Sequence, residues 1–331
     1  MSKILLLATG GTIACGQSAQ GLSPAMNAEQ ILSHIPEIEE SCYLEALSLM
    51  QTDSTNMTPA GMIKIAEAVR DRYDDYDGFV ITHGTDTLAY SAAALSYMLR
   101  NLGKPVIFTG SQVPLEAPYT DARQNLSDAV RFACADIAGD FVAFDGILIS
   151  GVHATKLKSK SLDAFRSIHF PVIAEIKHGK ITYCQGYSML PKTTGRFFAA
   201  ANLCPNIFVL KIFPGIGCEI FDFIREHYAG VIIESFGVGG IPGQNPDLVS
   251  KIPDLIQAGM AVVISTQCLY EGIDLNIYAV GKKLAREKVI SGGDMTTEAL
   301  TMKLMWALGN YDSLDNIKTC IETPYFADRS I

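Results

Sequence analysis

Four short segments of this 331-residue chain hold the residue types of acyl-transfer chemistry: Thr9-Gly10-Gly11-Thr12, Thr82-His83-Gly84-Thr85-Asp86-Thr87, Thr109-Gly110-Ser111-Gln112, and Gly151-Val152-His153-Ala154-Thr155-Lys156. A threonine hydroxyl is a poor nucleophile until something removes its proton. A lysine desolvated in a pocket can serve as the base toward a neighbouring hydroxyl, which makes Lys156 the better fit for that task. Paired glycines permit a tight turn and let backbone N–H groups come close to a ligand oxygen, as an oxyanion-stabilising loop requires. Each feature also has a plainer reading. Gly10-Gly11 can be a turn alone, Lys156 an exposed loop lysine, and Asp86 an N-cap ahead of an amphipathic helix. The six histidines form no H-x-x-x-H metal pair, and only His83 lies inside one of the four segments as a candidate base. Gly10, Gly11 and Gly16 do not make the G-x-G-x-x-G fingerprint, and no Gly-Lys-Ser/Thr follows, so the phosphate-cradle reading starts weak.

The segments follow short apolar runs. Ile4 to Ala8, Gly78 to Thr82, Pro105 to Thr109 and Gly146 to Ser150 read as strands buried on both faces, as do Ile207 to Ile212, Gly230 to Ser235 and Met260 to Thr266. Helical patterns fill the intervals. Thr58-Pro59 reads as an N-cap with proline at the first helical position, and Met62, Ile65, Ala66, Val69 and Tyr73 fall on one stripe. Leu88, Ala92, Leu95 and Leu99 repeat after Asp86, with the helix stopping near Gly103-Lys104-Pro105. This β-α-β rhythm predicts parallel sheets, and ligands of such sheets bind beyond the carboxyl ends of the strands. The four polar segments would then meet on one edge. The pattern loosens between Tyr187 and Asn206, which predicts an N-terminal domain over 1–187, a linker over 188–206 and a smaller domain over 207–331.

Composition narrows the class. Hydrophobic residues make up 48% and charged residues 18%, an ordinary globular balance. A formal charge of -9 offers no basic footprint for nucleic acid or an anionic membrane, so neither is an expected partner. The eight cysteines include no C-x-x-C pair, which favours reduced, mostly buried thiols over a zinc site or a disulfide framework. The opening apolar run is too short for a signal-peptide core, and no stretch nears the ~20 apolar residues of a membrane span. A cytoplasmic compartment is expected.

Thr-Gly-Gly-Thr-Ile-Ala at the start, His-Gly-Thr-Asp-Thr at His83 to Thr87 and Thr155-Lys156 resemble the asparaginase/glutaminase family in order and spacing. The resemblance continues through Asp53-Ser54-Thr55-Asn56-Met57, Thr109 to Pro114, Ser235 to Gly240, Thr266-Gln267-Cys268 and Ser291 to Thr296. It implies two Rossmann-like three-layer α/β domains, the N-terminal one larger, and hydrolysis of L-asparagine to L-aspartate and ammonia through a threonine acyl-enzyme, with minor glutaminase activity. By motif, Thr12 is the nucleophile. Thr85, Asp86 and Lys156 form a second cluster that polarises water and positions substrate, and Thr85 with backbone N–H groups meets the oxyanion. Gly11, Asp53, Ser54, Thr55, Gly84 and Gln112 bind substrate, with Ser54 and Thr55 at its amino-acid end and Asp86 on its ammonium. The resemblance implies no metal and no cofactor, and a homodimer or homotetramer whose active sites are completed by a neighbouring subunit, through Glu271 or Asp274.

The sequence departs from the family pattern in the loop after Thr12. No tyrosine occurs from Ala14 to Ala28, and Leu22 stands about where one is expected, so either another tyrosine or the lysine cluster activates Thr12. The same loop, with Gly16, Ser18, Gly21 and Ser23, has the composition of a lid or of a plain connector. Two other readings compete: the amide-releasing subunit of a transfer-RNA amidotransferase, which usually carries an extra N-terminal domain, and a non-hydrolytic nucleotide-binding α/β protein. Finally, an arginine of the second asparagine site found in some relatives is replaced at about Glu234. A carboxylate there disfavours a second amino-acid carboxylate, so the rate curve for asparagine should show weak or no cooperativity; a steeply sigmoidal curve contradicts this.

Overall fold

The computed structural model describes residues 1–18, 21–24, 26–36, 42–277, 281 and 288–330. Two compact units divide the chain, Met1–Ala201 and Asn202–Ile331. No helix among the described residues is long and apolar enough to cross a membrane.

In the first unit, strand β1 (Lys3–Gly10) is followed by the short strands β2 (Cys15–Ser18) and β3 (Gly21–Pro24), helix α1 (Ala28–Leu32), and strand β4 (Tyr43–Thr52). Then come α2 (Pro59–Arg70), β5 (Gly78–Thr82), α3 (Leu88–Met98), β6 (Leu99–Arg100), β7 (Pro105–Thr109), α4 (Ala122–Ala133), β8 (Gly139–Phe144), β9 (Ile147–Ser150), β10 (Ala154–Lys156), β11 (Phe165–Ser167), β12 (Ala174–Lys177) and β13 (Lys180–Tyr183). Eight of these strands form one sheet in the order β13-β12-β9-β8-β7-β5-β1-β4. Strands β5 and β7 are buried along their whole length, as the apolar runs require. The edge strand β4 is not; it is half-exposed and carries no apolar run, and it escapes the sequence pattern for that reason.

The expectation of parallel strands throughout is corrected at β9. Asp145 and Gly146 both take positive φ, 50° and 75°, and join Phe144 to Ile147 in a two-residue hairpin. Both central residues on the left-handed side make the turn that suits antiparallel strands. Strand β9 therefore runs against β8, and its exit at Gly151, whose N–H donates to the Asp140 carbonyl, leaves by the edge opposite to Thr9, Thr82 and Thr109. The sheet is mixed. Lys156 returns through the β10–β11 hairpin, which packs against α3.

Helix α2 begins as its sequence indicates, with Thr58 Oγ1 accepting from the Gly61 N–H and Pro59 in the first turn. Helix α3 starts at Leu88 with Thr87, not Asp86, in the cap position, and Asp86 is left for other contacts. It stops at Met98, ahead of Gly103, because Leu99–Arg100 pairs with β14 (Phe198–Ala199). Within 188–206, Thr193 Oγ1 also donates to the Leu102 carbonyl. After Thr12 the backbone of Gly21 to Pro24 pairs antiparallel with Cys15 to Ser18, a ribbon where a lid or plain connector was expected. The Leu22 side chain lies outside the described residues.

The second unit follows helix α5 (Gln185–Met189) and β14. It holds a parallel sheet of β15 (Ile207–Lys211), β16 (Gly230–Ser235), β17 (Ala261–Thr266) and β18 (Ile290–Ser291), with α6 (Glu219–His227), α7 (Ile252–Gln257), α8 (Thr297–Asn310) and α9 (Leu314–Glu322). Ile212, Phe221, Ile233, Leu248 and Ile264 are among its core. None of the eight cysteines is in a disulfide, but only Cys15, Cys42 and Cys320 are buried and Cys268 is exposed, so the expectation of mostly buried cysteines is corrected. The other four, Cys134, Cys184, Cys204 and Cys218, are partly covered.

Two buried polar sites, a lone histidine and an ion pair, make testable demands. His83 is wholly buried; its Nδ1–H donates to the Gly84 carbonyl at 2.8 Å and Nε2 accepts from Ser91 Oγ at 2.9 Å. Burial pulls its pKa down to about 4, against a weaker upward pull from Gly84. Because the folded value is depressed, the unfolded chain takes up the proton first, and stability is lost as pH falls from about 6.5 toward about 4. Denaturation at several pH values should show a His83→Gln variant losing less stability than wild type across that window, by up to about 3 kcal/mol; parallel curves contradict the assignment. Lys303 and Asp328, both without solvent exposure, pair at 2.7 Å. Lys303→Met leaves the Asp328 charge buried without its cation and should cost about 3 to 5 kcal/mol in denaturation, with part recovered in Lys303→Met/Asp328→Leu.

Candidate active site

The site forms where β1, β4, β5 and β7 end. At the end of β1, Gly11 has φ 81°, a conformation that side chains rarely adopt. A Cβ at Gly11 would lie 2.3 Å from Gly84 N and 2.4 Å from Gly84 Cα. A Cβ at Gly84 would in turn meet Ser54 Oγ at 2.5 Å. Two backbones therefore cross with nothing between them. The glycines first serve this loop-on-loop contact, and the Gly11 N–H is engaged by the Thr52 carbonyl at 3.1 Å, so it is not a donor for a ligand.

The residue after each crossing glycine carries a hydroxyl. Thr12 opens a short 3-10 turn, Thr12–Ala14, and is half-buried; among the described residues no hydrogen bond holds its side chain. Thr85 is 5% exposed. Lys156 Nζ lies 2.7 Å from Thr85 Oγ1 and 2.7 Å from Asp86 Oδ1. The lysine is 16% exposed and the aspartate 56%, so the pair spans the boundary between protein and solvent. Thr85 Oγ1 donates onward to Gln112 Oε1 at 3.1 Å.

The exit of β4 supplies the neighbouring wall. Ser54 is buried; its Oγ accepts from the Asp86 N–H at 3.3 Å and its carbonyl accepts from Thr87 Oγ1 at 2.7 Å. The Ser54 hydroxyl proton is thus left to donate elsewhere. Thr55 differs: its N–H and its hydroxyl both donate to Asp53 Oδ1, at 2.9 Å and 3.0 Å. Asp53 is thereby a cap for the Ser54–Asn56 turn.

Thr12, Thr85, Asp86, Lys156, Gly11, Gly84, Ser54, Thr55, Asp53 and Gln112 are thus linked through this one edge by contact or by chain. Glu271, with φ 79°, and Asp274, whose Oδ1 accepts from the Asn276 N–H at 2.8 Å, belong to the second unit. Glu234 is buried there, with Oε1 accepting from Thr297 Oγ1 at 2.6 Å.

Two other reactive groups near the crossing are disposed of by their surroundings. Cys15 Sγ donates to the Gly11 carbonyl at 3.3 Å, and burial, with the Asp53 charge adding to it, pushes its thiol upward, away from a reactive thiolate. The His83 ring is turned into the core and held neutral, so it is no base for Thr12.

Sequence reasoning passed over Asp121 and Asn125. Asp121 accepts from the N–H of Gln112 at 2.9 Å and of Val113 at 3.0 Å, and Asn125 Nδ2 donates to the Gly110 carbonyl at 2.9 Å. A Cβ at Gly110 would sit 2.3 Å from the His83 carbonyl, so this turn is packed as tightly as the first crossing. The available signal was polar residues on a helix face that is otherwise apolar: Asn125 and Asp128 are both 2% exposed.

Known proteins share this architecture. The N-terminal asparaginase family model matches residues 3–188, and the glutaminase/asparaginase C-terminal domain model matches residues 206–321. An L-asparaginase of Thermococcus kodakarensis is 37% identical over 97% of each chain. The solved structure of the thermostable L-asparaginase from that organism superposes with a TM-score of 0.94, at 36% identity and 99% coverage of both chains. A glutamyl-tRNA(Gln) amidotransferase component of Pyrococcus furiosus is 36% identical over 98% of this chain and 76% of its own length. With both models matched in order across the two units, and the motif residues gathered at one strand edge, this chain belongs to the asparaginase family.

Proposed function

We propose that the protein hydrolyses the side-chain amide of L-asparagine, giving L-aspartate and ammonia through an ester on the Thr12 hydroxyl. The observation that carries this reading is the Lys156–Thr85–Asp86 triangle set beside the Gly11–Gly84 crossing, from which Thr12 projects. The Thr12 oxygen adds to the amide carbonyl, the C–N bond breaks, and the amine departs with the proton that Thr12 gives up. Water then adds to the ester, the C–O bond to Thr12 breaks, and a proton from that water restores the hydroxyl. Lys156, Thr85 and Asp86 polarise the water and position the substrate.

Substrate recognition follows from the free valences. Asp86 keeps one carboxylate oxygen beyond its contact with Lys156, suited to the substrate ammonium by a charge-assisted bond. Ser54 has a hydroxyl proton to give to the substrate carboxylate, whereas Thr55 has both donors engaged by Asp53 and can only accept. Ser54 therefore carries more of that contact than Thr55. A homodimer or homotetramer in the cytoplasm, with Glu271 or Asp274 reaching a neighbouring site, completes the reading, and glutamine is a minor substrate because one methylene is worth only ~1 to 3 kcal/mol in a pocket. The likeness to an amidotransferase component favours a second reading, in which the same chemistry supplies ammonia to a transfer-RNA partner.

Ammonia release from asparagine and glutamine by the isolated chain separates these. Turnover of free asparagine supports the first reading; none, with turnover appearing only alongside a transfer-RNA substrate and partner protein, supports the second. Folded Thr12→Ala should lose at least about 1000-fold in kcat and Lys156→Met about 100-fold. Normal turnover by folded Thr12→Ala eliminates this nucleophile.

A further inference from the structure

We propose that Gln112 is a positioning residue, whose side-chain amide fixes the direction of the Thr85 hydroxyl and latches the 158–161 segment beside it. The proposal deepens the asparagine-hydrolysis reading and replaces the substrate-binding role expected of Gln112. Its Nε2 lies 3.2 Å from the Ser161 carbonyl and 3.4 Å from the Lys158 carbonyl. Carbonyl oxygens only accept, so the end of the amide facing them is the NH2; the flipped amide would bring three acceptor oxygens together. Oε1 consequently faces Thr85 Oγ1 at 3.1 Å, and an amide oxygen only accepts. The single proton of Thr85 points at Gln112.

The other side of the hydroxyl is equally determined. Lys156 Nζ lies 2.7 Å away, and since the one Thr85 proton is already given to Gln112, the lysine is the donor and the Thr85 oxygen the acceptor. One lone pair remains, and Thr85 faces the site as an acceptor. That suits a hydrogen bond from the attacking water and not donation to an oxyanion, which is left to backbone N–H groups. The strut is anchored at its base, because Asp121 holds the N–H of Gln112 at 2.9 Å and of Val113 at 3.0 Å. At its far end it ties down Lys158 and Ser161, within an exposed stretch that begins directly after Lys156.

A double-mutant cycle on asparagine turnover, with trypsin digestion of the same proteins, tests this. Gln112→Met should lower kcat about 10- to 100-fold with KM within about twofold, the pattern of misplaced chemistry rather than lost binding. In a Thr85→Val background, itself lowered about 100-fold, Gln112→Met should change kcat by less than about twofold, because its target is gone. Cleavage after Lys158 or Lys160 should accelerate at least about threefold in Gln112→Met, since the latch is lost. Additive effects in the double variant, a loss confined to KM, or an unchanged digestion rate overturns the proposal. Should Gln112→Met not fold, Gln112→Ala removes the same groups without bulk. A wild-type protein inert on asparagine defeats the hydrolysis reading separately, and the trypsin arm then decides the role of Gln112 alone.

Discussion

The site depends on the bare crossing of two backbones at Gly11 and Gly84. Their separation leaves no room for a single Cβ on either chain, and the adjoining Ser54 oxygen and Thr52 carbonyl close the same space from a third strand. Three strand ends, β1, β4 and β5, are pinned together there. Because each crossing glycine is followed by threonine, the contact places two hydroxyl-bearing residues on one short edge without any side chain having to reach. The glycines thus set the spacing of the site, and the Gly11 N–H is spent on the Thr52 carbonyl.

A second constraint brings in the charge. Lysine cannot arrive from a neighbouring parallel strand, because the Asp145-Gly146 hairpin sends β9 the other way. The chain returns along α3 through β10, and Lys156 enters from beside the sheet to sit between Thr85 and Asp86. That lateral entry lets Gln112, just beyond the end of β7, bond both to Thr85 and to the segment after the lysine. Hydroxyl, amine and amide then form one directed chain of hydrogen bonds whose polarity is set by groups that can act in only one sense.

Much of this was legible in the sequence, for identifiable reasons. Fully buried strands such as β5 and β7 announce themselves as apolar runs, and the Thr58-Pro59 helix start rests on local chemistry that tertiary packing did not override. The polar residues after those runs pointed to the edge where they are found. Strand β4 was illegible because an exposed edge strand needs no apolar run, although the Asp53-Ser54-Thr55 turn at its end was read from resemblance. The reversal at β9 was legible but unread: Asp-Gly between apolar runs is the hairpin signal, and the β-α-β rhythm masked it. Asp121 and Asn125 were harder to read, since a polar residue on an apolar helix face signals burial but does not name its partners, here backbone groups of the preceding turn.

In the proposed reaction, this edge delivers Thr12 to the amide as a nucleophile. Rapid acid quench during asparagine turnover, followed by mass spectrometry of the intact chain and its peptides, addresses this directly. A transient aspartyl ester is expected on the peptide containing Thr12, absent from Thr12→Ala. An ester on any other residue, or full turnover in a Thr12→Ala protein with no ester at all, contradicts it.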